Sequence, residues 1–195
     1  MSAVLTPPPM PPAAPPKRMT AEQFAERYAG HRVEFLFGQV VELPMPFQEH
    51  GNVCNWAAFY LTQHVVTNGL GRVTTNDSFV KVPMPDDPDK VRGADVCYFS
   101  YGRLPRGRFP SGMLEVTPEL VVEVRSTWDT WAEIYRKVAE YLANNILVVL
   151  VFDADTQSVT VFRPAQRQQA FEEHDTLTVP DVLPGWAVPV ASFFA

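Results

Sequence analysis

Apolar and polar positions follow distinct rhythms along this chain, and each rhythm places an element. Phe24 and Tyr28 stand four apart, Thr20 and Gln23 have capping-box spacing, and Gly30 offers a stop, so a short helix is expected from Thr20 to Gly30. The run RVEFLFGQVVELP then holds two short strand-like pieces around Gly38, a hairpin ended by Pro44 and Pro46. From His50 to Asn68 the period becomes helical: Val53, Ala57, Tyr60 and Leu61 form one stripe, and Asn68-Gly69 stops it. Two strands are expected over roughly 71–82 and 92–99, separated by the turn-rich PMPDDPD. Residues 100–118 show little apolar periodicity and read as a loop.

LVVEV (120–124) is a compact β-branched run and reads as a buried strand. Asp129 to Asn144 is helical in pattern, with Trp131, Ile134, Val138, Tyr141 and Leu142 on one face. ILVVLVF (146–152) is apolar at every position, as a central strand covered on both faces must be. Asp153 and Asp155 mark a turn, and SVTVF and the 171–178 region read as final strands. The middle of the chain thus runs helix, three strands, helix, strand, with residues 120–152 expected to form a right-handed parallel crossover. An α/β domain with a mixed sheet follows, and no internal repeat is present.

At 195 residues the chain suits one domain over residues 19–195. Residues 1–18, rich in proline and alanine, read as a disordered or polyproline-like arm. Net charge is −6, which argues against general coating of nucleic acid but leaves a local basic patch possible. The two cysteines, Cys54 and Cys97, lie in apolar stretches without a CxxC or an evident Cys/His cluster, so a zinc site is not expected and both read as small buried apolar residues. No apolar run approaches the roughly 18 residues of a membrane span. The N-terminus lacks a charged segment before an apolar one, so no signal peptide is expected and a cytoplasmic location is.

Two acids interrupt this apolar pattern. In ELVVEVRS, Val121, Glu123 and Arg125 share one face of a strand, and an acid in so apolar a run must be paired or bind a metal. The strand alone leaves open whether Glu123 is a metal ligand or a structural partner of Arg125. Asp95 precedes Val96, Cys97, Tyr98 and Phe99, and could equally be a turn residue at a strand start. Two acids on neighbouring core strands could converge on one hard divalent cation, Mg²⁺ or Mn²⁺, which can assist attack on a phosphodiester. Such chemistry also wants a cation, and Lys137 and Arg125 are the candidates. Lys137 would otherwise be a solvated partner of Glu133 or Glu140 on its own helix. In the loop GRLPRGRFPSG, Arg103, Arg106 and Arg108 form the best local basic patch, either a phosphate grip or a solvated loop.

The pattern Val122-Glu123-Val124-Arg125-Ser126, then Lys137 and Tyr141, then ILVVLVFD, resembles the Uma2 family (DUF820) of the PD-(D/E)XK nuclease superfamily. Upstream matches are Glu34 and Gly38 in VEFLFGQVVELPMP, His50-Gly51 opening a helix, and Arg92 to Val96. The similarity spans roughly residues 20–195. It implies a restriction-endonuclease-like αβββαβ core, with an N-terminal helix and hairpin added, carrying a metal-dependent nuclease site. Asp95 and Glu123 would hold the metal, with Glu34 as an auxiliary acid, Lys137 as the displaced motif lysine and His50 as a substrate or water contact. His50 could equally be a locally bonded helix-start residue. Three departures stand out. Ala94 replaces the usual proline before the aspartate, Asn144-Asn145 replace a glycine, and Arg125 occupies the usual lysine position two after the glutamate. An arginine can clamp phosphate or neutralise an acid but is a poor general base.

The expected activity is therefore Mg²⁺- or Mn²⁺-dependent endonucleolytic cleavage of DNA, with a homodimer plausible for cutting both strands. One alternative is a nuclease fold that binds nucleic acid or protein without cleaving. Another is hydrolysis of a different phosphate ester.

Overall fold

The computed structural model describes residues 19–195, so the Pro-rich arm at 1–18 lies outside the described residues. Helix α1 (Ala21–Tyr28) starts at Thr20, whose side chain and that of Gln23 cap each other's backbone. Phe24 and Tyr28 stack at 5.4 Å between ring centroids, as their spacing anticipates. Strands β1 (Val33–Leu36) and β2 (Gln39–Glu42) form the hairpin, turning through Phe37 and Gly38 at φ 51° and 75°. Both central residues being left-handed is the signature of a tight two-residue turn. Helix α2 (Gln48–Thr67) buries Val53, Ala57, Leu61 and Val65, and Tyr60 sits at the margin of that stripe.

Then come β3 (Gly71–Lys81), β4 (Val91–Ser100) and β5 (Leu120–Arg125), helix α3 (Trp131–Ala143) with its own capping box at Thr130 and Glu133, and β6 (Val148–Asp153). β7 (Ser158–Phe162) and β8 (Gln169–Phe171) finish the main sheet, whose order is β2-β1-β4-β5-β6-β7-β8, with β3 also paired to β4. β5 and β6 are parallel and the other pairs antiparallel, so the sheet is mixed.

Three layers result. α2 covers one face of the sheet, over Val96, Tyr98, Leu120, Val122, Leu150 and Phe152. α3 covers the other, through Ile134, Val138 and Tyr141 against Cys97, Val121, Val149 and Val151. Both faces being covered explains why every residue of β6 is buried. α1 closes a smaller cluster with Phe35 and Val91. Among the described residues no helix is long and apolar enough to cross a membrane.

Two details differ from the sequence reading. Asp153 is the buried last residue of β6 rather than part of the turn. The 171–178 region is split between β8 and β9 (Thr176–Thr178), and β9 pairs with β10 (Ala187–Pro189) in a separate small sheet. Three-residue strands carry too little alternation to show in the sequence.

Candidate active site

The site sits where the sheet forks. β3 occupies one edge of β4 from Val91 to Ser100. On the other edge β1 touches only Val91, and β5 pairs with Val96, Cys97 and Tyr98. Residues 92–95 therefore have no strand partner on that side. Opposite them the β3 ladder skips from Thr75 to Ser78, leaving Asn76 and Asp77 in a bulge at φ 65° and 52°. Bulges bend a strand and re-aim side chains, and are common beside active sites. Here Asp77 is gripped by both Nε and Nη2 of Arg32 at 2.9 and 3.0 Å. Face alternation also slips on β4: Ala94 and Val96, two residues apart, pack into cores on opposite sides of the sheet. Asp95, between them, is left in the fork.

Asp95 Oδ2 accepts a 2.7 Å hydrogen bond from the Val124 amide, and Oδ1 lies 3.5 Å from His50 Nε2 at the start of α2. Glu123 is 3% exposed. Its Oε1 accepts from the Tyr141 hydroxyl at 2.7 Å and its Oε2 from Lys137 Nζ at 3.0 Å. Lys137 and Tyr141 are one turn apart on α3, so one helix face supplies both contacts. Lys137 Nζ is also 3.6 Å from Glu34 Oε1, a buried oxygen without a hydrogen bond.

The charges continue inward. Glu34 Oε2 meets Arg92 Nη1 at 2.5 Å, Arg92 Nε meets Glu140 Oε2 at 2.8 Å, and Lys90 Nζ meets Glu140 Oε1 at 2.9 Å, with Asp87 3.8 Å beyond. All these groups except Lys137 are buried, and Lys137 is nearly so. Asp95, Glu123, Glu34, Glu140 and Asp87 are five carboxylates; Lys137, Arg92 and Lys90 are three cations. The cluster is two positive charges short of balance with His50 neutral and one short with it protonated. Buried charge at that density must be compensated. The deficit and the oxygen donors of Asp95 and Glu123 fit one hard divalent cation.

The proton equilibria reflect the same shortage. Burial pushes the Glu123 carboxyl up, to about 7; the negative charge of Asp95 adds to this, and Lys137 and Tyr141 pull against it. Burial alone would lower the Lys137 ammonium, but the charges of Glu123, Glu34 and Asp95 prevail and raise it, so it stays protonated. Burial likewise lowers His50, but its bond to Asp95 outweighs this and raises it above its ordinary value. Tyr141 is raised far above its usual value by burial and by Glu123, so it remains a hydroxyl donor.

The fold brings Asp95, Glu123, Lys137, Glu34 and His50 together. It treats the arginines differently. Arg125 lines the same pocket, yet its guanidinium turns to Asp153 at 3.1 Å and to Asp155, not to Glu123. Arg103, Arg106 and Arg108 lie beyond the far end of β4 and do not line that pocket. Arg103 bonds the carbonyls of Thr117, Pro118 and Asn145, and Arg106 bonds the Gly69 carbonyl and stacks on Tyr101; Arg108 is exposed. Lys137 is no solvated partner of Glu133 or Glu140: Glu140 turns to Lys90 and Arg92, and Glu133 caps its own helix. Two participants escaped the sequence reading of the site. Tyr141 had a signal, its place in the lysine-tyrosine helix pattern. The bulge at Asn76-Asp77 had none beyond two residue types that tolerate left-handed backbone.

Comparison with known proteins bears on the family and the fold. The model of the Uma2 family, described as "Putative restriction endonuclease", matches residues 21–191. The chain belongs to the Uma2 family. A crystal structure of "a putative nuclease belonging to DUF820" from Anabaena variabilis ATCC 29413 superposes with a TM-score of 0.72 at 19% identity, covering 90% of this chain and 97% of that one. At that identity the likeness is one of fold. No curated protein matches the chain.

Proposed function

We propose that this Uma2 protein is a divalent-metal-dependent endonuclease that hydrolyses DNA phosphodiester bonds. The observation that carries the reading is the pairing of buried Glu123 with Lys137 in the same pocket as Asp95. Asp95 and Glu123 would hold Mg²⁺ or Mn²⁺, with Glu34 as an auxiliary acid behind Lys137. The ion would supply positive charge at the phosphoryl oxygens and ease loss of a proton from an attacking water. The chain's own residues do the rest. Val124 N–H and Tyr141 O–H fix the two carboxylates. Lys137, held as an ammonium, orients the water or offsets charge growing on the phosphate. His50, which lines the pocket, would touch substrate or water there. Arg125, neutralised by Asp153 and Asp155, is a rim cation suited to binding rather than proton transfer. Arg103, Arg106 and Arg108 would meet only a duplex extending well beyond the pocket. Cutting both strands calls for two sites, which a homodimer would supply, and a cytoplasmic location is the one expected for such an enzyme.

An Arg125–Glu123 bridge would favour the alternative, a binding module that does not cleave. That bridge is open, which weighs for cleavage. The deciding assay is nicking of supercoiled plasmid with Mg²⁺ and with Mn²⁺. Metal-dependent nicking lost in Asp95→Ala supports the reading; no cleavage of supercoiled, linear or single-stranded DNA by wild type refutes it.

Two further outcomes are expected. Lys137→Met lowers the single-turnover rate by about 10²–10³-fold, the cost of one lost charge-stabilising donor, while DNA affinity changes little. A rate within threefold of wild type would remove Lys137 from the chemistry. Metal binding also depends on pH. Glu123 must be ionised to bind a cation, and its carboxyl titrates near 7 in the metal-free protein. Affinity therefore falls at least about tenfold per unit as pH drops below that value, and flattens above it. Calorimetry of Mn²⁺ binding across this range should show proton release on the acid side only. A pH-independent affinity would take Glu123 out of the ligand set.

A further inference from the structure

Helix α2 places Cys54 one turn after His50, and the side chains meet, with Cys54 Sγ 3.4 Å from His50 Nδ1. The other ring nitrogen lies 3.5 Å from Asp95 Oδ1. A thiol, an imidazole and a carboxylate thus converge from one helix and one strand. One ligand atom from each lies within 4.8 Å of the others, and no other such trio exists among the described residues. The hard-cation chemistry above makes no use of the thiol.

Nitrogen and sulfur donors select a different class of ion. Zn²⁺ binds Cys, His and carboxylate side chains at about 2.0–2.3 Å, so its ligand atoms sit roughly 3–4 Å apart, near the spacing already present. Ligands at i and i+4 share one helix face, the spacing by which helices commonly present two groups to one ion. At nitrogen and sulfur sites Zn²⁺ also outcompetes the alkaline-earth ions, which prefer oxygen. His50 and Asp95 line the solvent-reaching pocket, so an ion can arrive from outside.

We propose that His50, Cys54 and Asp95 form a site for a thiophilic transition metal of the Zn²⁺ class, and that filling it withdraws Asp95 from the hard-cation site. Binding breaks the Cys54 S–H bond, forms a metal–sulfur bond and gives the proton to solvent. The imidazole binds through one nitrogen and gives up its present contact at that nitrogen to the metal. The binding half stands on these three residues alone; the inhibitory half rests on the nuclease reading.

Co²⁺ serves as the probe for the full-length protein because a cobalt–thiolate bond has its own near-ultraviolet charge-transfer band. One equivalent of Co²⁺ should produce that band, and Zn²⁺ should abolish it. Cys54→Ser should lose the band and bind Zn²⁺ at least about tenfold more weakly. Cys97 is the only other thiol in the chain, so Cys97→Ser should keep the band. No band in wild type, or a band that survives Cys54→Ser, overturns the site. In the plasmid assay with excess Mg²⁺, Zn²⁺ should inhibit wild type and spare Cys54→Ser; equal inhibition of both overturns the competition. A wild type that cleaves nothing with any metal refutes the nuclease reading, and the cobalt titration then decides the site alone.

Discussion

Glu123→Gln is expected to abolish metal-dependent cleavage, by a factor on the order of 10³ or more, while the protein remains folded. Glutamine keeps the shape of the side chain and an oxygen for the Tyr141 hydroxyl to bond. It removes one of two carboxylates available to a cation and replaces the oxygen facing Lys137 with an amide or a weaker acceptor. Lys137 then falls back on Glu34, 3.6 Å away. Stability should move the other way. Because the folded-state pKa of Glu123 is raised, its contribution is fully present below its unfolded value near 4 and is lost as pH rises through about 7. Wild type should therefore lose stability relative to the glutamine variant across that interval, and Mn²⁺ should restore wild type without affecting the variant. Melting curves at the two ends of the interval, with and without Mn²⁺, read both effects. A variant that cuts at more than a tenth of the wild-type rate would show that the metal does not depend on Glu123.

Much of this architecture was legible because it rests on apolar rhythm. The unbroken ILVVLVF run, the stripe of α3 and the compact LVVEV run are consequences of two-sided or one-sided burial, and burial writes itself into residue type. Asp95 and Glu123 stood out for the same reason, as acids within apolar strands. What stayed hidden was pairing across distance. Lys137 on a helix surface invites partners at i−4 or i+3, yet its partners come from β5 and β1. The sequence leaves Asp95 open as a turn residue at a strand start; the strand expected over 92–99 is β4, Val91–Ser100, and holds Asp95 within it. Arg92 can lie inside only because Glu34 and Glu140 meet it there. No local spacing encodes that triad. The Arg103–Arg108 loop lies away from the pocket, since proximity in sequence to both acid-bearing strands does not say at which end of the sheet a loop emerges. The C-terminal segment contributes Leu177, Leu183, Trp186 and Phe193 to the α2-side core without regular periodicity, because it wraps that core as short pieces instead of a long element.

The inner half of the charge network makes the largest stability prediction. Glu140 is 4% exposed and accepts from both Lys90 and Arg92. Their cations in turn hold its carboxyl below the usual range, against the opposing effect of burial. Glu140→Leu leaves Lys90 with only Asp87 at 3.8 Å and Arg92 with only Glu34. Removing one member of a buried ionic group costs about 3–5 kcal/mol, because the partners stay buried without compensation. In a chain of this size that corresponds to a fall in Tm of roughly 10 °C. The sign with pH is fixed by the depressed carboxyl: its stabilisation is present above the unfolded pKa near 4 and is lost as pH falls through the folded value, so the gap between wild type and variant should close in acid. The effect should also reach the site. Arg92 bridges Glu140 to Glu34, and Glu34 faces Lys137, so loosening the far end frees Glu34 to draw the ammonium away from Glu123. Glu140→Gln, which keeps the packing, separates the two consequences. It should recover part of the lost stability yet still alter the pH dependence of Mn²⁺ binding. If Glu140→Gln melts and binds Mn²⁺ as wild type does at every pH, the network is a set of independent pairs, and the acids of the fork are held by their immediate neighbours alone.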